Sequence, residues 1–583
     1  MNIKKNTELR ELIRKLALQN AIRHDGKAQT NPVAGKLLGE KTELRTKAKE
    51  ITHFVNEVVQ TVNSLTLEEQ KNIMEKKYPE TLTNEKVEKK HLPPLANVDD
   101  YKEIVTRFSP NPDCVLHLGS ARAIVLCDEY AHIYKGKFIL RFEDTDPQLK
   151  RPVLEFYDKI REDLAWLGCK PDEEYIQSDR IPIYYKYAEK LLRDSNAYVC
   201  TCQPEQFREK ALANKPCRCR DLPSNERLKR WQNMINGAYE KGEAVVRIKT
   251  DLKHPNPAVR DWPALRVIDC ERYSHPRVGS KYHVWPLYNF ACGIDDHLMG
   301  VTHIIRGKEH LTNMVRQKYM YTHFNWQYPE AIHYGRLKIT GTSLSKSKII
   351  QGIREGFYKS WDDPRLATFA ALRRRGITPE AIKKLMLDIG PKTSDVVLSW
   401  ENLYAYNRKI LDSKVDRYFF IHNPIRLMVR DVPKTFATRL RLHPDYPERG
   451  FREYIINPEG SDNSVALWIS GNDVRTLKVG EMTRLMELFN IRIERAITQS
   501  VEASFISEPY KEAKRIKAQL IHWILIGNDI PCRVIMPDAT SAEGIAESSC
   551  KRLKPNEMIQ FERFGFVRID EVNMKLTTYY AHK

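Results

Sequence analysis

The chain predicts a multidomain α/β protein: a Rossmann-like, doubly wound domain carrying an insertion, then a helical region, then C-terminal β-barrels. Three observations carry that prediction. Strand-like and helix-like segments alternate over residues 101–195, break off across 196–283, and resume over 284–340. Residues 341–410 read as helical. From about residue 411 onward short strands and turns dominate. Alternation of strand with helix argues for a parallel sheet covered on both faces, and runs of short strands argue for barrels. At 583 residues the chain is too long for one hydrophobic core. It should divide into roughly three to five domains.

The elements follow from local pattern. In residues 1–100, Leu9, Leu12, Ile13, Leu16 and Leu18 recur at helical spacing, as do Ile51, Phe54, Val55, Val58 and Val59. Thr66-Leu-Glu-Glu69 reads as a capping box, and the charged stretch Thr83–Pro94 reads as a linker. Arg107-Phe-Ser-Pro-Asn-Pro-Asp-Cys-Val-Leu-His117-Leu-Gly119-Ser120 reads as a short strand, a Pro-rich turn and the start of a helix. Lys137–Phe142 is dense enough in apolar residues for a buried strand. Pro152 predicts a helix start, with Val153, Phe156, Ile160, Leu164 and Leu167 on its inner face. Ala244–Lys249 reads as a strand of the insertion. Leu344-Ser345-Lys346-Ser347-Lys348 reads as a polar loop.

Composition bounds the function. Apolar residues make up 42% and charged residues 29%, the balance of a folded soluble chain. Lys and Arg number 95 against 76 Asp and Glu, a net charge of +19 that favours a polyanionic partner. No apolar run approaches the roughly 18 residues that span a bilayer. Leu520–Ile526 is too short, and the charged first residues lack a signal peptide's apolar core. The expectation is a cytoplasmic protein without a membrane partner. Its 11 cysteines fit a reducing compartment.

The chemistry starts from two motifs. His117-x-Gly119 at a helix N-terminus offers unpaired amide N–H groups, an imidazole donor and bare backbone to a phosphate. Far downstream, Lys346 can reach phosphates from its own segment, with Ser345 and Ser347 keeping that segment polar. Each motif alone is weak. In this order, with these flanks, they resemble the paired His-Ile-Gly-His and Lys-Met-Ser-Lys-Ser signatures of class I aminoacyl-tRNA synthetases. The surrounding words narrow the resemblance to the glutamyl family of archaeal type. Two positions depart from the pattern: Ser120 stands where a second His is usual, and Ser343 where a first Lys is usual. The resemblance implies a catalytic set of His117, Ser345 and Lys346. It implies ATP against Pro110, His117, Gly119, Ser120, Arg336, Leu337 and Lys346, with Mg²⁺ assisting.

The same resemblance implies a glutamate pocket built from Arg107, Glu143, Tyr288 and Arg306. The chemistry agrees. An α-ammonium wants a carboxylate, which Glu143 supplies. A side-chain carboxylate wants a guanidinium fork, which Arg306 and Arg107 supply with Tyr288 adding a hydroxyl. Glutamine would leave a buried guanidinium without its counter-charge, which is costly.

Cys200-x-Cys202 and Cys217-x-Cys219 offer four thiolates, which suit tetrahedral Zn²⁺. The alternative is four reduced cysteines in a small subdomain. Basic stretches Leu372-Arg-Arg-Arg-Gly-Ile377 and Arg439-Leu-Arg-Leu-His443 are candidates for tracking phosphates, with solvated basic faces as the alternative.

The resemblance orders the chain as 1–100, an N-terminal helical domain; 101–199 and 284–340, the two Rossmann halves; 200–283, an insertion that binds the tRNA acceptor end; 341–410, a helical stem-contact domain; and 411–583, β-barrels that bind the anticodon. It implies tRNA(Glu) and L-glutamate as partners, with tRNA(Gln) open, and a monomer. A glutaminyl-tRNA synthetase, a non-catalytic tRNA-binding paralogue and a DNA-binding zinc protein are the alternatives.

Overall fold

The computed structural model describes residues 7–23, 26–41, 44, 48–78, 92–342, 345–497 and 499–583. The predicted linker lies largely outside them. Cα packing divides the chain into two units, residues 1–91 and 92–583.

The first unit is helical. Its helices are α1 (Thr7–Arg23), α2 (Thr30–Glu40), α3 (Ala48–Asn63) and α4 (Leu67–Lys77). The predicted apolar positions form its core: Leu9, Ile13, Leu16, Leu18, Ile51, Phe54, Val55, Val58 and Val59 are buried, with Leu12 half-buried against them. Thr66 caps α4 through Glu69 in the reciprocal pattern expected of Thr-x-x-Glu.

The second unit opens with β1 (Val105–Phe108), α5 (Leu118–Ile133), β2 (Lys137–Phe142), α6 (Leu154–Leu167) and β3 (Glu173–Ile176). The strands pair in parallel, β1 with β2 and β2 with β3. The predicted inner face of α6 holds at Phe156, Ile160, Leu164 and Leu167. Val153 is the exception: it is the N-cap residue and is exposed, because the helix starts one residue later.

After α7 (Ile181–Arg193) the pattern changes. Strand β4 (Ala197–Cys200), helices α8 (Pro204–Leu212) and α9 (Ser224–Ile235), and strands β5 (Val245–Ile248), β6 (Pro263–Val267) and β7 (Val284–Pro286) follow. The four strands form one antiparallel sheet in sequence order. Parallel architecture returns with α10 (Tyr288–Leu298), β8 (His303–Gly307), α11 (Leu311–Phe324) and β9 (Glu330–Tyr334). Thr302 joins the two parallel parts: its N–H donates to Val105 O (3.0 Å), and its hydroxyl accepts from Val105 N–H (2.9 Å). The strand order across this layer is β3-β2-β1-β8-β9. It reverses between β1 and β8, where a doubly wound sheet opens a crevice at its strands' carboxyl ends.

The linking region contains β10 (Leu337–Ile339), α12 (Lys346–Arg354), α13 (Phe369–Arg374), α14 (Pro379–Ile389), β11 (Val396–Leu398) and α15 (Trp400–Leu411). Gly335 approaches the backbone closely here; a Cβ on it would meet the Ser394 carbonyl oxygen at 2.1 Å. Among the described residues, two seven-stranded sheets and a two-stranded hairpin (Phe436–Arg441 with Phe451–Ile456) make up most of the rest. In one, the edge strands are Gln519–Ile521 and Ile524–Leu525, two residues apart in sequence. In the other they are Asp416–Tyr418 and Phe420–His422, one residue apart. A sheet whose two edges are joined by so short a link must curl until they meet, which is how barrels remove exposed edges. Each barrel has its own apolar core. Among the described residues no helix is long and apolar enough to cross a membrane.

Candidate active site

The turn between β1 and α5 is pinned from three sides. His117 is the N-cap of α5, in extended backbone, and Gly119 N–H donates to its Nδ1 (3.0 Å). Burial lowers the imidazole's pKa, so the neutral ring carries its proton on Nε2, the nitrogen left to donate. Segment 367–369 lies antiparallel to the turn: Leu118 N–H donates to Ala367 O (2.8 Å) and Phe369 N–H to Leu116 O (3.0 Å). From α6, Asp163 Oδ2 accepts Leu116 N–H (3.3 Å), while Oδ1 receives Arg373 Nη2 (3.2 Å).

The second motif comes to this turn. Lys346 is the first residue of α12, not part of a loop as the polar pattern predicts, and Ser345 is its N-cap. Its ammonium forms an ion pair with Asp113 of the Pro-rich turn. Ser343 and Leu344 lie outside the described residues. Pro110 O accepts Glu143 N–H (2.9 Å), which ties the turn to the end of β2. Ser120 N–H bonds back to His117 O (2.8 Å). Arg336 is exposed and lies 3.9 Å from Glu309, and Leu337 opens β10, half-buried.

At the strand-order reversal is a cavity of about 650 Å³ whose wall includes Arg107, Glu143, Tyr288 and Arg306. These four predicted residues come from β1, the end of β2, α10 and β8. His117, Gly119, Ser120, Arg336, Leu337 and Lys346 are not part of that wall. Arg306 stands opposite His333 in the β8–β9 register. Its Nη2 donates to Gln317 Oε1 (3.1 Å) and the Tyr328 hydroxyl (3.0 Å), and its Nε to His333 Nε2 (3.4 Å). Burial and the nearby Arg306 and Arg107 charges push His333 down to about 4, so it meets the guanidinium as a neutral acceptor. Arg306 Nη1 is buried without a protein partner, as are Ser109 Oγ, Asn111 Oδ1 and Asn289 Oδ1 of the same wall. Unmet polar groups of this kind are costly unless a ligand satisfies them.

Arg107 does not face the cavity as a free fork. Its Nε donates to Asp296 Oδ1 (3.0 Å) and its Nη2 to Oδ2 (3.4 Å). Arg141 Nη1 donates to the same Oδ1 (2.7 Å), and Arg141 Nη2 to Glu143 Oε1 (3.0 Å). Burial raises the Glu143 pKa, with Arg141 and Arg107 pulling against it. Sequence reasoning did not single out Asp296, Arg141 or Cys292. The signal was present: Tyr288, Cys292 and Asp296 are spaced by four, one face of a helix.

The cysteines converge. Sulfur atoms of Cys200, Cys202, Cys217 and Cys219 all lie within 4.8 Å of one another, with Cys200–Cys217 at 3.9 Å and Cys202–Cys219 at 3.7 Å. Zn–S bonds of about 2.3 Å in a tetrahedron put sulfurs about 3.8 Å apart, so the four donors fit zinc. Outer contacts suit thiolates too: Arg230 Nη1 lies 3.4 Å from Cys219 Sγ.

One basic stretch serves the fold. Arg373 pairs with Asp163, Arg374 with Asp362 and Asp570, and buried Arg375 bonds the Tyr404 hydroxyl (2.6 Å) and Ala581 O (3.1 Å). The triplet therefore braces α13 against its neighbours instead of presenting three free cations to phosphate. Arg439 is exposed and pairs with Glu453 across a hairpin.

Comparison with known proteins matches three stretches. Residues 103–413 match the tRNA synthetases class I (E and Q) catalytic domain. Residues 415–507 and 520–570 each match an anti-codon binding domain of the same class. A glutamate–tRNA ligase of Pyrococcus furiosus is 52% identical over 99% of this chain and all of its own. Those of Methanocaldococcus jannaschii and Caldivirga maquilingensis are 46% and 44% identical, over 99% and 98% of this chain and 100% and 99% of their own. With the strand order, the paired motifs and these matches together, the chain belongs to the class I tRNA synthetases of the glutamate and glutamine (E and Q) family.

Proposed function

We propose that this chain is a glutamate–tRNA ligase that activates L-glutamate with ATP and transfers it to the 3′ end of tRNA(Glu). The observation that carries the choice of amino acid is Arg306, buried on the cavity wall with one guanidinium nitrogen unpaired. A side-chain carboxylate satisfies both that nitrogen and the guanidinium's charge; a side-chain amide offers an acceptor oxygen but no counter-charge. The names of the relatives support the same reading.

The glutamate α-carboxylate attacks the ATP α-phosphate and pyrophosphate leaves, giving glutamyl-adenylate; the terminal ribose hydroxyl of the tRNA then takes the acyl group and AMP leaves. Glu143 receives the α-ammonium, and Tyr288 and Arg306 hold the side chain. Arg107, bonded to Asp296, adds positive charge near Glu143. His117 Nε2–H donates to the phosphate oxygens as charge builds there, and Gly119 lets adenosine lie on the backbone. Lys346, with Ser345 beside it, follows the departing pyrophosphate; Pro110, Ser120, Arg336 and Leu337 complete the nucleotide surroundings. Mg²⁺, when bound with ATP, neutralises phosphate charge.

Residues 200–283 receive the acceptor end and hold a structural zinc through the four cysteines. Residues 341–410 follow the inside of the tRNA, and 411–583 read the anticodon. The protein acts in the cytoplasm as a monomer.

The test is aminoacylation of separate tRNA(Glu) and tRNA(Gln) transcripts with labelled glutamate and glutamine. Glutamate on tRNA(Glu) is expected; glutamine on tRNA(Gln) alone would make the chain a glutaminyl enzyme. Charging of neither would leave a tRNA-binding paralogue.

A further inference from the structure

We propose that Asp296 is a positioning residue for amino-acid recognition, setting Arg107 and Arg141 so that Glu143, held by Arg141 through Oε1 alone, keeps its other oxygen for the substrate's ammonium. This rests on the reading of the cavity as a glutamate pocket. Asp296 is 1% exposed and is not part of the cavity wall, so it acts through its neighbours.

The arrangement is a chain of alternating charge: Arg107, Asp296, Arg141, Glu143. Arg107 is 4% exposed and Arg141 fully buried, so neither cation reaches water. Without Asp296 both would turn to the next carboxylate, which is Glu143 or the substrate's own. Burial alone would raise the Asp296 pKa, but Arg107 and Arg141 outweigh it and hold the group ionised, well below the usual carboxylate range. Cys292, one helical turn before Asp296, completes the contact. Its thiol lies 3.2 Å from Arg141 Nη2 and 3.5 Å from Asp296 Oδ2.

Charge balance gives the arrangement its meaning. In this chain of charges and Arg306 together, three cations (Arg107, Arg141, Arg306) face two carboxylates (Asp296, Glu143), which leaves one net positive charge; neighbouring Asp295 is neutralised by its own pair with Arg180. Glutamate carries one net negative charge at neutral pH. Glutamine carries none. With Asp296 in place the surplus charge rests on Arg306, which lacks a carboxylate partner and whose unpaired Nη1 belongs to a residue of the cavity wall.

The experiment is steady-state charging by the full-length Asp296→Asn variant, with glutamate, ATP and tRNA(Glu) each varied. The expected result is a rise of about tenfold or more in the KM for glutamate, with the KM for ATP and tRNA within about twofold of wild type. Asp296→Glu, which keeps the charge, should recover part of the loss. An unchanged glutamate KM, or equal rises for all three substrates, would overturn the proposal. If Asp296→Asn does not fold, Arg141→Lys tests the same link and should show the same selective rise. Wild-type charging of glutamine instead would fail the functional reading, and the same comparison would then be made on glutamine's KM.

Discussion

Lys346 and Asp113 form an ion pair that joins the two nucleotide motifs, one from the start of α12 and the other from the turn before His117. On the proposed reading, the lysine is held by a carboxylate at the place where phosphate is to arrive. Binding ATP requires it to exchange one anion for another. The pair is partly exposed, so it is worth about 1 kcal/mol at most. Replacing Asp113 by Asn should therefore lower the KM for ATP by up to about fivefold. Lys346→Ala should slow adenylate formation by about a hundredfold. ATP–pyrophosphate exchange with tRNA present measures both, and a higher ATP KM in Asp113→Asn would show that Asp113 does not compete with the nucleotide.

Arg306→Ala removes the guanidinium with its unpaired Nη1 and leaves Gln317, Tyr328 and His333 in place. The kcat/KM for glutamate should fall about a hundredfold, about 2.7 kcal/mol of transition-state stabilisation. Binding of tRNA should be unaffected, because the residue lies buried on the cavity wall. An unchanged kcat/KM would remove Arg306 from the pocket.

Much of this was legible in the sequence, and the reasons differ by residue. The parallel strands and the inner face of α6 follow from apolar spacing, which acts locally. The meeting of Arg107, Glu143, Tyr288 and Arg306 was legible only through resemblance, since they are spread over some two hundred residues of chain. Asp296, on helix α10, was hidden because the role proposed for it depends on Arg107 and Arg141 arriving from strands β1 and β2. The ion pairs of the arginine triplet were hidden for the same reason: the acidic partners Asp163, Asp362 and Asp570 are distant or unremarkable in sequence. Lys346 read as a loop residue because Ser-Lys-Ser-Lys has no apolar periodicity; the helix gains its inner face only at Ile349.

Asp163 should set a pH dependence of stability. Burial pushes its carboxyl up to about 7, although Arg373 and the Leu116 N–H oppose the rise. Glu162 raises it further and Lys159 lowers it. The ordinary value is 3.8, so between the two the folded chain holds a proton that the unfolded chain has released. The stability this group contributes is complete below the ordinary value and is lost as pH rises through about 7. Asp163→Asn cannot ionise and keeps an acceptor for Leu116. Thermal melts at pH 5.5 and pH 8 should show the variant gaining on wild type as pH rises (conditions about one and a half units below and about one unit above that value). A difference that stays constant or shrinks would mean the carboxyl titrates elsewhere.

The four cysteines should bind one zinc ion whose loss is felt locally. Cys200 ends β4, and Cys217 and Cys219 lie between α8 and α9, so a metal there fastens the α8–α9 segment to the antiparallel sheet. A closed site with four protein ligands takes no part in the chemistry, and its binding energy is folding energy. A chelator, or Cys219→Ser, should therefore lower the melting temperature and strip amide-exchange protection from residues 204–235, while β1 and β2 keep theirs. Adenylate formation should change less than tRNA charging, because the glutamate cavity is built from other elements. Elemental analysis of the purified chain decides the first point: metal-free protein with full protection across α8 and α9 would mean the thiols hold that segment by packing alone.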